Sequence, residues 1–272
     1  MFSYITGKKV VHMECETLEM TLRDQIAYIT LNRPSRLNAF DLTLGRELYN
    51  TLCQISNDPK IRVLIIKGTG KGFCGGGDVK EMYNAENKTR FLRELTRAIH
   101  KCVIEIRNMQ KPVIAAVNGI AYGAGLSLAL ACDIIVASKD ARMSTAFIGI
   151  GLTPGCGTQF ITNLVGYHRA CELIFTSKTF TAQEALRMGI VNKVVDPDML
   201  DDAVEEYALM LKRNAPIAMG MAKKLINESM RNDMISHLEL ESLMASQSAA
   251  TQDFVEGITA FMEKRQPVFR GK

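Results

Sequence analysis

Residues 113–131 read VIAAVNGIAYGAGLSLALA, in which an apolar strand is followed by a turn at Asn118 and Gly119 and then by a glycine-rich start to a helix. The same order occurs earlier in the chain, where residues 61–67 form a predicted strand and residues 68–77 read GTGKGFCGGG. Strands that are apolar throughout are typical of parallel sheets covered on both faces. We therefore predict an α/β fold of repeated βα or ββα units, with function carried by the loops.

Segments on either side of these repeats predict further parts of the sheet and its covering helices. Apolar runs at residues 14–22 and 26–31 flank a polar turn and predict a hairpin. Asp41 is placed to cap a helix whose apolar residues recur on one face. Further strands are predicted at residues 133–137 and 190–195. The α/β pattern is therefore expected to continue through most of the chain.

The last part of the chain is predicted to be helical. Its helical segments begin near four residues: Asp198, Pro216, Met234 and Asp253. No low-complexity linker precedes this part, so we expect it to pack on the core or on a neighbouring subunit. The predicted division is a core at residues 1–197 and a helical C-terminal region at residues 198–272.

The composition is that of an ordinary globular protein. Of 272 residues, 47% are hydrophobic and 23% charged, and 33 basic against 29 acidic residues give a net charge of +4. The basic residues are scattered, which argues against a nucleic-acid-binding surface. The longest apolar stretch, residues 113–136, is interrupted by polar residues and glycines, and residues 1–19 lack the pattern of a secretory signal. We expect a cytoplasmic protein that binds neither nucleic acid nor membrane.

Neither the cysteines nor the histidines have the spacing of a metal site. The cysteines include no C-x-x-C pair, which favours reduced thiols packed as small core side chains. There are seven: Cys15, Cys53, Cys74, Cys102, Cys132, Cys156 and Cys171. The histidines form no H-E-x-x-H motif, so that surface or helix-face positions are favoured over a metal site or a catalytic triad. There are four: His12, His100, His168 and His237.

The two glycine loops are the candidate functional elements. Their glycines lack the pattern of a phosphate-binding P-loop, a dinucleotide fold or a nucleophile elbow. Residues 73–78 and 119–125 instead place glycines where a strand ends and a helix begins, a position at which backbone N–H groups point toward a ligand. Two such helix starts facing one another would form an oxyanion hole for carbonyl chemistry. The alternative is that the glycines only permit tight turns and close helix packing.

Five ordered motifs that include these loops resemble the crotonase (enoyl-CoA hydratase/isomerase) superfamily. In chain order they are LNRP with LNAF and GFCGGGDVKEM, KPVIAAVNG with CDI, GLTPGCG, residues 181–189, and the tail at residues 261–267. The resemblance covers nearly the whole chain.

The resemblance implies a crotonase-like spiral of ββα units with a helical C-terminal trimerisation region, a homotrimer or hexamer, and acyl-CoA thioester substrates. It implies no metal or redox cofactor, because coenzyme A is part of the substrate. The oxyanion donors would be the N–H groups of Gly77 and Ala124. The positions that would bind coenzyme A are Arg36, Leu37, Ala39, Gly75, Phe261 and Lys264. A solvated Arg36 and a Lys264 on an exposed helix face are the alternatives.

The chain departs from the superfamily at the positions that usually carry catalytic acids. Hydratases of the superfamily use two glutamates, and this chain has Ser127 and Phe147 there. A group of isomerases uses an aspartate after the motif proline, where this chain has Gly155. Loss of a positioned acid or base typically lowers a rate about 10²- to 10⁴-fold. Other candidate proton carriers are Tyr122, Asp78, Glu81 and Thr153, although Asp78 is favoured as a helix cap.

We therefore expect an enzyme of acyl-CoA and fatty acid metabolism that stabilises a thioester enolate in an oxyanion hole. Isomerisation of an enoyl-CoA is the first expectation and hydration, a lyase reaction, is the second, with both usual glutamates absent. A decarboxylase or thioesterase of the same superfamily is an alternative. A non-catalytic acyl-CoA-binding protein is the alternative from a different functional class.

Overall fold

A computed structural model describes residues 2–5 and 8–272, with side chains from residue 15 onward. The strands are β1 (Phe2–Ile5), β2 (Lys8–Glu14), β3 (Leu18–Arg23), β4 (Ile26–Leu31), β5 (Val63–Gly68), β6 (Gly72–Cys74), β7 (Val113–Val117), β8 (Ile120–Tyr122), β9 (Ile134–Ser138), β10 (Arg142–Ser144), β11 (Phe180–Thr181) and β12 (Lys193–Val195). The helices are α1 (Leu42–Asn57), α2 (Val79–Asn84), α3 (Lys88–Asn108), α4 (Ala124–Ala131), α5 (Thr158–Val165), α6 (Tyr167–Thr176), α7 (Ala182–Arg187), α8 (Leu200–Lys212), α9 (Pro216–Glu228), α10 (Met234–Ala249) and α11 (Gln252–Met262).

The larger of two sheets has the strand order β1-β2-β3-β4-β5-β7-β9-β12 in the described residues. Neighbouring strands from β1 to β4 are antiparallel. From β4 onward the neighbours β5, β7, β9 and β12 run parallel. Every residue of β7 is buried. Because both faces of such a strand are covered, its sequence is apolar throughout, as predicted.

The smaller sheet has the order β11-β10-β8-β6 and carries the glycine loops. Its strands β6, β8 and β10 run parallel to one another. Along the chain, each follows a strand of the larger sheet and precedes a helix, which gives the series β5-β6-α2, β7-β8-α4 and β9-β10-α5. The predicted repeat of ββα units is confirmed.

Helices cover both faces of the larger sheet. α1 begins after Asp41, whose carboxylate accepts a hydrogen bond from the N–H of Leu44 at 2.7 Å, as its predicted capping role requires. Leu48 on α1 and Ile99 on α3 are buried in the larger core cluster, whereas Val204 on α8 packs on the opposite face of the sheet. Burying an aliphatic side chain of this size contributes about 1.5–3 kcal/mol.

The buried ammonium group of Lys223 binds α9 to the core. Lys223 Nζ donates to the carbonyl oxygens of Ile106 at 2.7 Å and Lys111 at 3.0 Å, and to Asp133 Oδ2 at 2.7 Å. Burial lowers the pKa of Lys223 because desolvation disfavours the charged ammonium, and the nearby Asp133 carboxylate opposes that shift.

The four C-terminal helices begin near the four predicted positions. The division of the chain after residue 197 stays a prediction.

The structure differs from the sequence prediction in three respects. The run at residues 14–22 is broken, because the N–H of Cys15 donates to the carbonyl of Leu18 at 3.0 Å and makes a turn before β3. The strand predicted at residues 190–195 shortens to β12, because the N–H of Ile190 donates to a carbonyl at the end of α7 at 2.9 Å. Strands β1 and β2 extend the antiparallel edge of the larger sheet and were not predicted.

Core packing was predicted for all seven cysteines and is found for three, whereas Cys15, Cys53, Cys156 and Cys171 are only partly buried. Cys74, Cys102 and Cys132 are buried, and burial raises the pKa of the thiols of Cys74 and Cys102 to about 12.

No helix within residues 2–5 and 8–272 has the length and apolar character needed to cross a bilayer. The prediction that residues 1–19 carry no secretory signal falls partly outside the described residues, as does the side chain of His12.

Candidate functional site

The two glycine loops meet where β6 and β8 end side by side in the smaller sheet. Gly77 stands between β6 and α2, and Ala124 is the first residue of α4. Gly76 has a φ of +103°, and a Cβ built on it would lie 2.9 Å from the carbonyl oxygen of Tyr122 and 3.7 Å from the amide nitrogen of Ala124. The loops are therefore in direct contact, and glycine is required at this crossing.

The N–H groups of Gly77 and Ala124 are not used by the local backbone pairing. Phe40 pairs with the first loop on both sides of Gly77, since its N–H donates to Gly76 O at 2.6 Å and its carbonyl accepts from Asp78 N at 2.8 Å. That pairing leaves the Gly77 N–H pointing to the opposite side. The Ala124 N–H belongs to the first turn of a helix, where amides have no intrahelical partner. In the described part of the chain, neither amide donates to another protein group.

Both residues line one small cavity, here named the oxyanion cavity, of about 40 Å³. Its lining is Gly77, Met82, Leu92, Leu95, Thr96, Ile99, Ala124, Phe147, Leu152, Gly155 and Cys156. The Thr96 hydroxyl already donates to Leu92 O at 2.7 Å within α3. Cys156 is the single titratable side chain in this set. Burial raises the pKa of its thiol, an effect that the Ser127 hydroxyl opposes, so the thiol is neutral near pH 7.

The three positions predicted to have lost a catalytic acid line two different cavities. Phe147 and Gly155 line the oxyanion cavity. Ser127 instead lines a smaller neighbouring cavity of about 10 Å³ that shares only Phe147 and Cys156 with the first. The Ser127 hydroxyl lies 2.9 Å from Cys156 O and 3.1 Å from Gly123 O, both of which accept hydrogen bonds. Ser127 is therefore engaged with the backbone outside the cavity that holds the two N–H groups.

The other candidate proton carriers lie outside the lining of the oxyanion cavity; they are Tyr122, Asp78, Glu81 and Thr153. The Asp78 carboxylate accepts from the N–H groups of Lys80 at 3.1 Å and Glu81 at 3.3 Å, so its predicted role as a helix cap is confirmed. Burial raises the pKa of Glu81, and the carboxylates of Asp41 and Asp78 add to that shift. The Tyr122 hydroxyl lies 3.3 Å from Thr179 Oγ1, and Thr153 is exposed.

Part of the predicted coenzyme A set lies beside the first loop. The N–H of Gly75 donates to Leu37 O at 2.8 Å, and a Cβ at Gly75 would lie 3.2 Å from Leu37 Cβ. Leu37 has a φ of +51° in a left-handed turn. Arg36 before it is exposed, and Ala39 after it is buried. The structure thus brings Arg36, Leu37, Ala39 and Gly75 to one side of the site.

Phe261 and Lys264 lie elsewhere in the chain. They stand at the end of α11, and the tail that follows is bound through Phe269, whose carbonyl accepts from Arg62 at 2.7 Å. Arg62 precedes β5, whereas the glycine loop follows the other end of that strand. Phe261 is 82% exposed. Within one chain, the structure therefore does not bring these two residues to the oxyanion cavity.

Two side chains that support the site were not singled out by the sequence. Arg33 forms ion pairs with Asp41 at 2.8 Å and Asp78 at 3.3 Å, the caps of α1 and α2, and its guanidinium also donates to Ala39 O. His100 on α3 lies with Nε2 2.6 Å from Gly155 O. Arg33 stands in the LNRP motif, and the sequence contains two capping aspartates. The sequence therefore held an indication of the ion pairs that Arg33 forms. The contact of His100 spans 55 residues, and the sequence held no indication of it.

Comparison with known proteins agrees with this architecture. Residues 21–272 match the family described as enoyl-CoA hydratase/isomerase. The chain is 38% identical over 256 residues to the short-chain-enoyl-CoA hydratase of Clostridium acetobutylicum, covering 93% of this chain and 97% of that protein. It is 35% identical to the 1,2-epoxyphenylacetyl-CoA isomerase of Escherichia coli, with 90% and 94% covered.

Solved structures give the same result. The enoyl-CoA hydratase of Bacillus anthracis superposes with a TM-score of 0.88 at 35% identity, covering 97% of this chain and 99% of that one. A Geobacillus kaustophilus structure described as an enoyl-CoA hydratase superposes with a TM-score of 0.92 at 29% identity, covering 97% and 100%. The α/β fold is thus the one predicted from the motifs. The chain belongs to the enoyl-CoA hydratase/isomerase family and is an enzyme of that family.

Proposed function

We propose that this enzyme binds an acyl-CoA thioester with its carbonyl oxygen between the N–H groups of Gly77 and Ala124. The observation that carries the proposal is that both amides border one cavity and donate to no other group in the described residues. Negative charge that develops on the thioester oxygen as an enolate forms would be stabilised by both donors, in a site lined mostly by apolar side chains. Removing one donor from an oxyanion hole typically costs about 10²- to 10³-fold in rate.

We propose isomerisation of an enoyl-CoA as the reaction. A double-bond shift removes one proton beside the thioester and returns one further along the acyl chain, so that a single carrier can serve both steps. Among the described residues the cavity lining holds no carboxylate, which argues against a reaction that needs two, and because the Cys156 thiol is neutral near pH 7, the carrier must be a group outside that lining. The name of the Escherichia coli relative, an isomerase, is consistent with it.

Hydration is the second candidate, because the Clostridium acetobutylicum relative is named as a hydratase. It would need an acid and a base around a water molecule, and the positions expected to carry them hold Ser127 and Phe147. The two candidates are separated by incubating the purified protein with a 3-enoyl-CoA and, in parallel, with a 2-enoyl-CoA, and by resolving the products by chromatography. Isomerisation gives a 2-enoyl-CoA in the first reaction, and hydration gives a 3-hydroxyacyl-CoA in the second. Absence of both products would overturn the proposed reactions.

For coenzyme A, we propose a groove formed by Arg36, Leu37, Ala39 and Gly75. No metal or redox cofactor is needed, since the two backbone amides supply the polarisation of the carbonyl. This part of the proposal is tested with Arg36→Gln, which should raise the KM for the thioester more than it lowers kcat. An unchanged KM would assign Arg36 to the solvated surface.

We further propose that Phe261 and Lys264 serve the groove of a neighbouring copy in a homotrimer or hexamer. The support is the exposure of Phe261, together with the attachment of the tail at the end of β5 away from the loops. Light scattering of the intact protein tests the assembly, and a monomer of 30.2 kDa would contradict it. In an assembled protein, Lys264→Glu should raise the KM without changing the oligomeric state.

A further inference from the structure

Two side chains from different helices hold consecutive carbonyl groups in the wall of the oxyanion cavity. The wall segment is residues 155–157. Ser127 on α4 donates from Oγ to Cys156 O at 2.9 Å, and His100 on α3 places Nε2 2.6 Å from Gly155 O. Gly155 and Cys156 both line the cavity, so each hydrogen bond holds a part of the chain that shapes the space available to a substrate.

Close packing reinforces the attachment to α4. A Cβ built on Gly157, whose φ is +86°, would lie 2.5 Å from Ser127 Oγ, so the wall segment is in contact with α4. A Cβ built on Gly155 would lie 3.6 Å from Thr96 Cγ2, which leaves room for a methyl group on the α3 side. The segment is therefore held against α4 by packing and a hydrogen bond, and against α3 by the contact of His100.

Cys156 of the wall segment and Phe147 outside it stand between two cavities. Phe147 and Cys156 line both the oxyanion cavity of about 40 Å³ and the cavity of about 10 Å³ beside Ser127. Their side chains thus form a partition between the two spaces. With the partition in place, the space next to the Gly77 and Ala124 N–H groups is small. If the partition moved, the two spaces would join.

We propose that Ser127 and His100 are positioning residues that fix this partition and thereby restrict the enzyme to short acyl chains. The inference rests on the proposed thioester site. It gives Ser127 a role as a hydrogen-bond donor to the main chain, although it stands where hydratases of the family carry an acid. Because the Gly155 carbonyl oxygen can only accept, Nε2 of His100 is the donor in this contact.

The test is direct binding of butyryl-CoA and octanoyl-CoA, measured by calorimetry without turnover. We expect the natural protein to bind butyryl-CoA at least about tenfold more tightly, the scale on which a pocket discriminates by size. Ser127→Ala combined with His100→Ala should reduce that ratio to about threefold or less, with octanoyl-CoA affinity rising. His100→Gln retains an N–H donor. The preference for butyryl-CoA over octanoyl-CoA should therefore be greater in His100→Gln than in His100→Ala.

Phe147→Ala removes one side of the partition without touching either hydrogen bond, and it provides a second route to the same result. An unchanged ratio in the folded double variant would overturn the positioning role of Ser127 and His100, and an unchanged ratio in Phe147→Ala would overturn the partition itself. Octanoyl-CoA binding to the natural protein as tightly as butyryl-CoA would also overturn it. If neither thioester binds the natural protein, the proposed function itself has failed, which is a different result from a wrong chain-length preference.

Discussion

A Cβ on Gly76 would lie 2.9 Å from the carbonyl oxygen of Tyr122, so that the two loops of the site approach as closely as their backbones allow. This contact sets the separation of the Gly77 and Ala124 N–H groups. Both groups belong to the main chain. Their relative orientation therefore depends on how the two loops pack.

Gly76→Ala should push the loops apart and lower kcat by at least about 100-fold, the loss expected when one oxyanion donor is displaced. The matched control is Gly189→Ala, because Gly189 also has a positive φ, +75°, but has nothing within 4 Å of its Cβ position. Both variants carry backbone strain of about 1–3 kcal/mol. Steady-state kinetics beside thermal unfolding separate the effects, and equal losses of kcat in the two variants would contradict the argument.

Gly155→Asp should introduce a base into the oxyanion cavity. The Cβ would make only van der Waals contacts with Thr96, at 3.6 and 3.7 Å, and Gly155 has no positive φ that would strain a side chain. We expect conversion of a 3-enoyl-CoA to rise about 100-fold or more over the unsubstituted protein. Gly155→Asn has nearly the same shape without a carboxylate and serves as the control. A similar gain in the asparagine variant would mean that shape, and not proton transfer, limits the rate.

Arg33→Met should destabilise the protein by about 3–5 kcal/mol, because it leaves the mostly buried carboxylates of Asp41 and Asp78 without their shared cation. Arg90→Met is the control, since Arg90 is exposed and pairs with Glu94 on the surface of α3. A change within about 0.5 kcal/mol is expected there. Urea unfolding measures both free energies. A loss below 1 kcal/mol on replacing Arg33 would show that water replaces its contacts.

The attachment of the C-terminal tail should depend on pH through Glu256. Hydrogen bonds from the Arg265 guanidinium, at 2.7 and 2.8 Å, and from the Val268 N–H lower the pKa of Glu256 to about 2. Because the folded pKa lies below the ordinary value near 4.5, the stabilisation is fully present above that value. It should be lost as the pH falls from about 4.5 toward about 2.

The measurement is hydrogen exchange at the Val268 amide, corrected for the intrinsic pH dependence of exchange. In Glu256→Gln, protection should be low at pH 7 and should change little between pH 5 and pH 3. Glu263→Gln is the matched control, because Glu263 also contacts Arg265 but accepts no hydrogen bond from Val268. A wild-type tail whose protection is constant down to pH 3 would disprove the role of Glu256.

The repeats were predictable from the sequence because their signals are local. The apolar run of β7 and the cap at Asp41 lie within a few residues of the elements they specify. β1 and β2 were missed, and the turn between β2 and β3 was hidden inside one apolar run. The turn depends on a hydrogen bond between Cys15 and Leu18, which the pattern of apolar residues does not encode.

The candidate site was predictable only in part. The motifs located Gly77 and Ala124, and the structure adds that their amides border a common cavity. No local pattern indicated that Ser127 lines a second cavity, or that His100 contacts Gly155. These relationships join residues that are far apart in the chain, and they depend on how the helices pack.

Gly125 shows the same dependence on main-chain shape, since a Cβ there would lie 2.0 Å from Cys74 O. The close approach of the two loops thus depends on a few glycines, whereas the groups that could move protons are side chains around them. Substitutions that alter the second set leave the first intact. On the proposed function, a change among those side chains would alter the reaction while binding of the thioester carbonyl is retained, because the two properties depend on different residues.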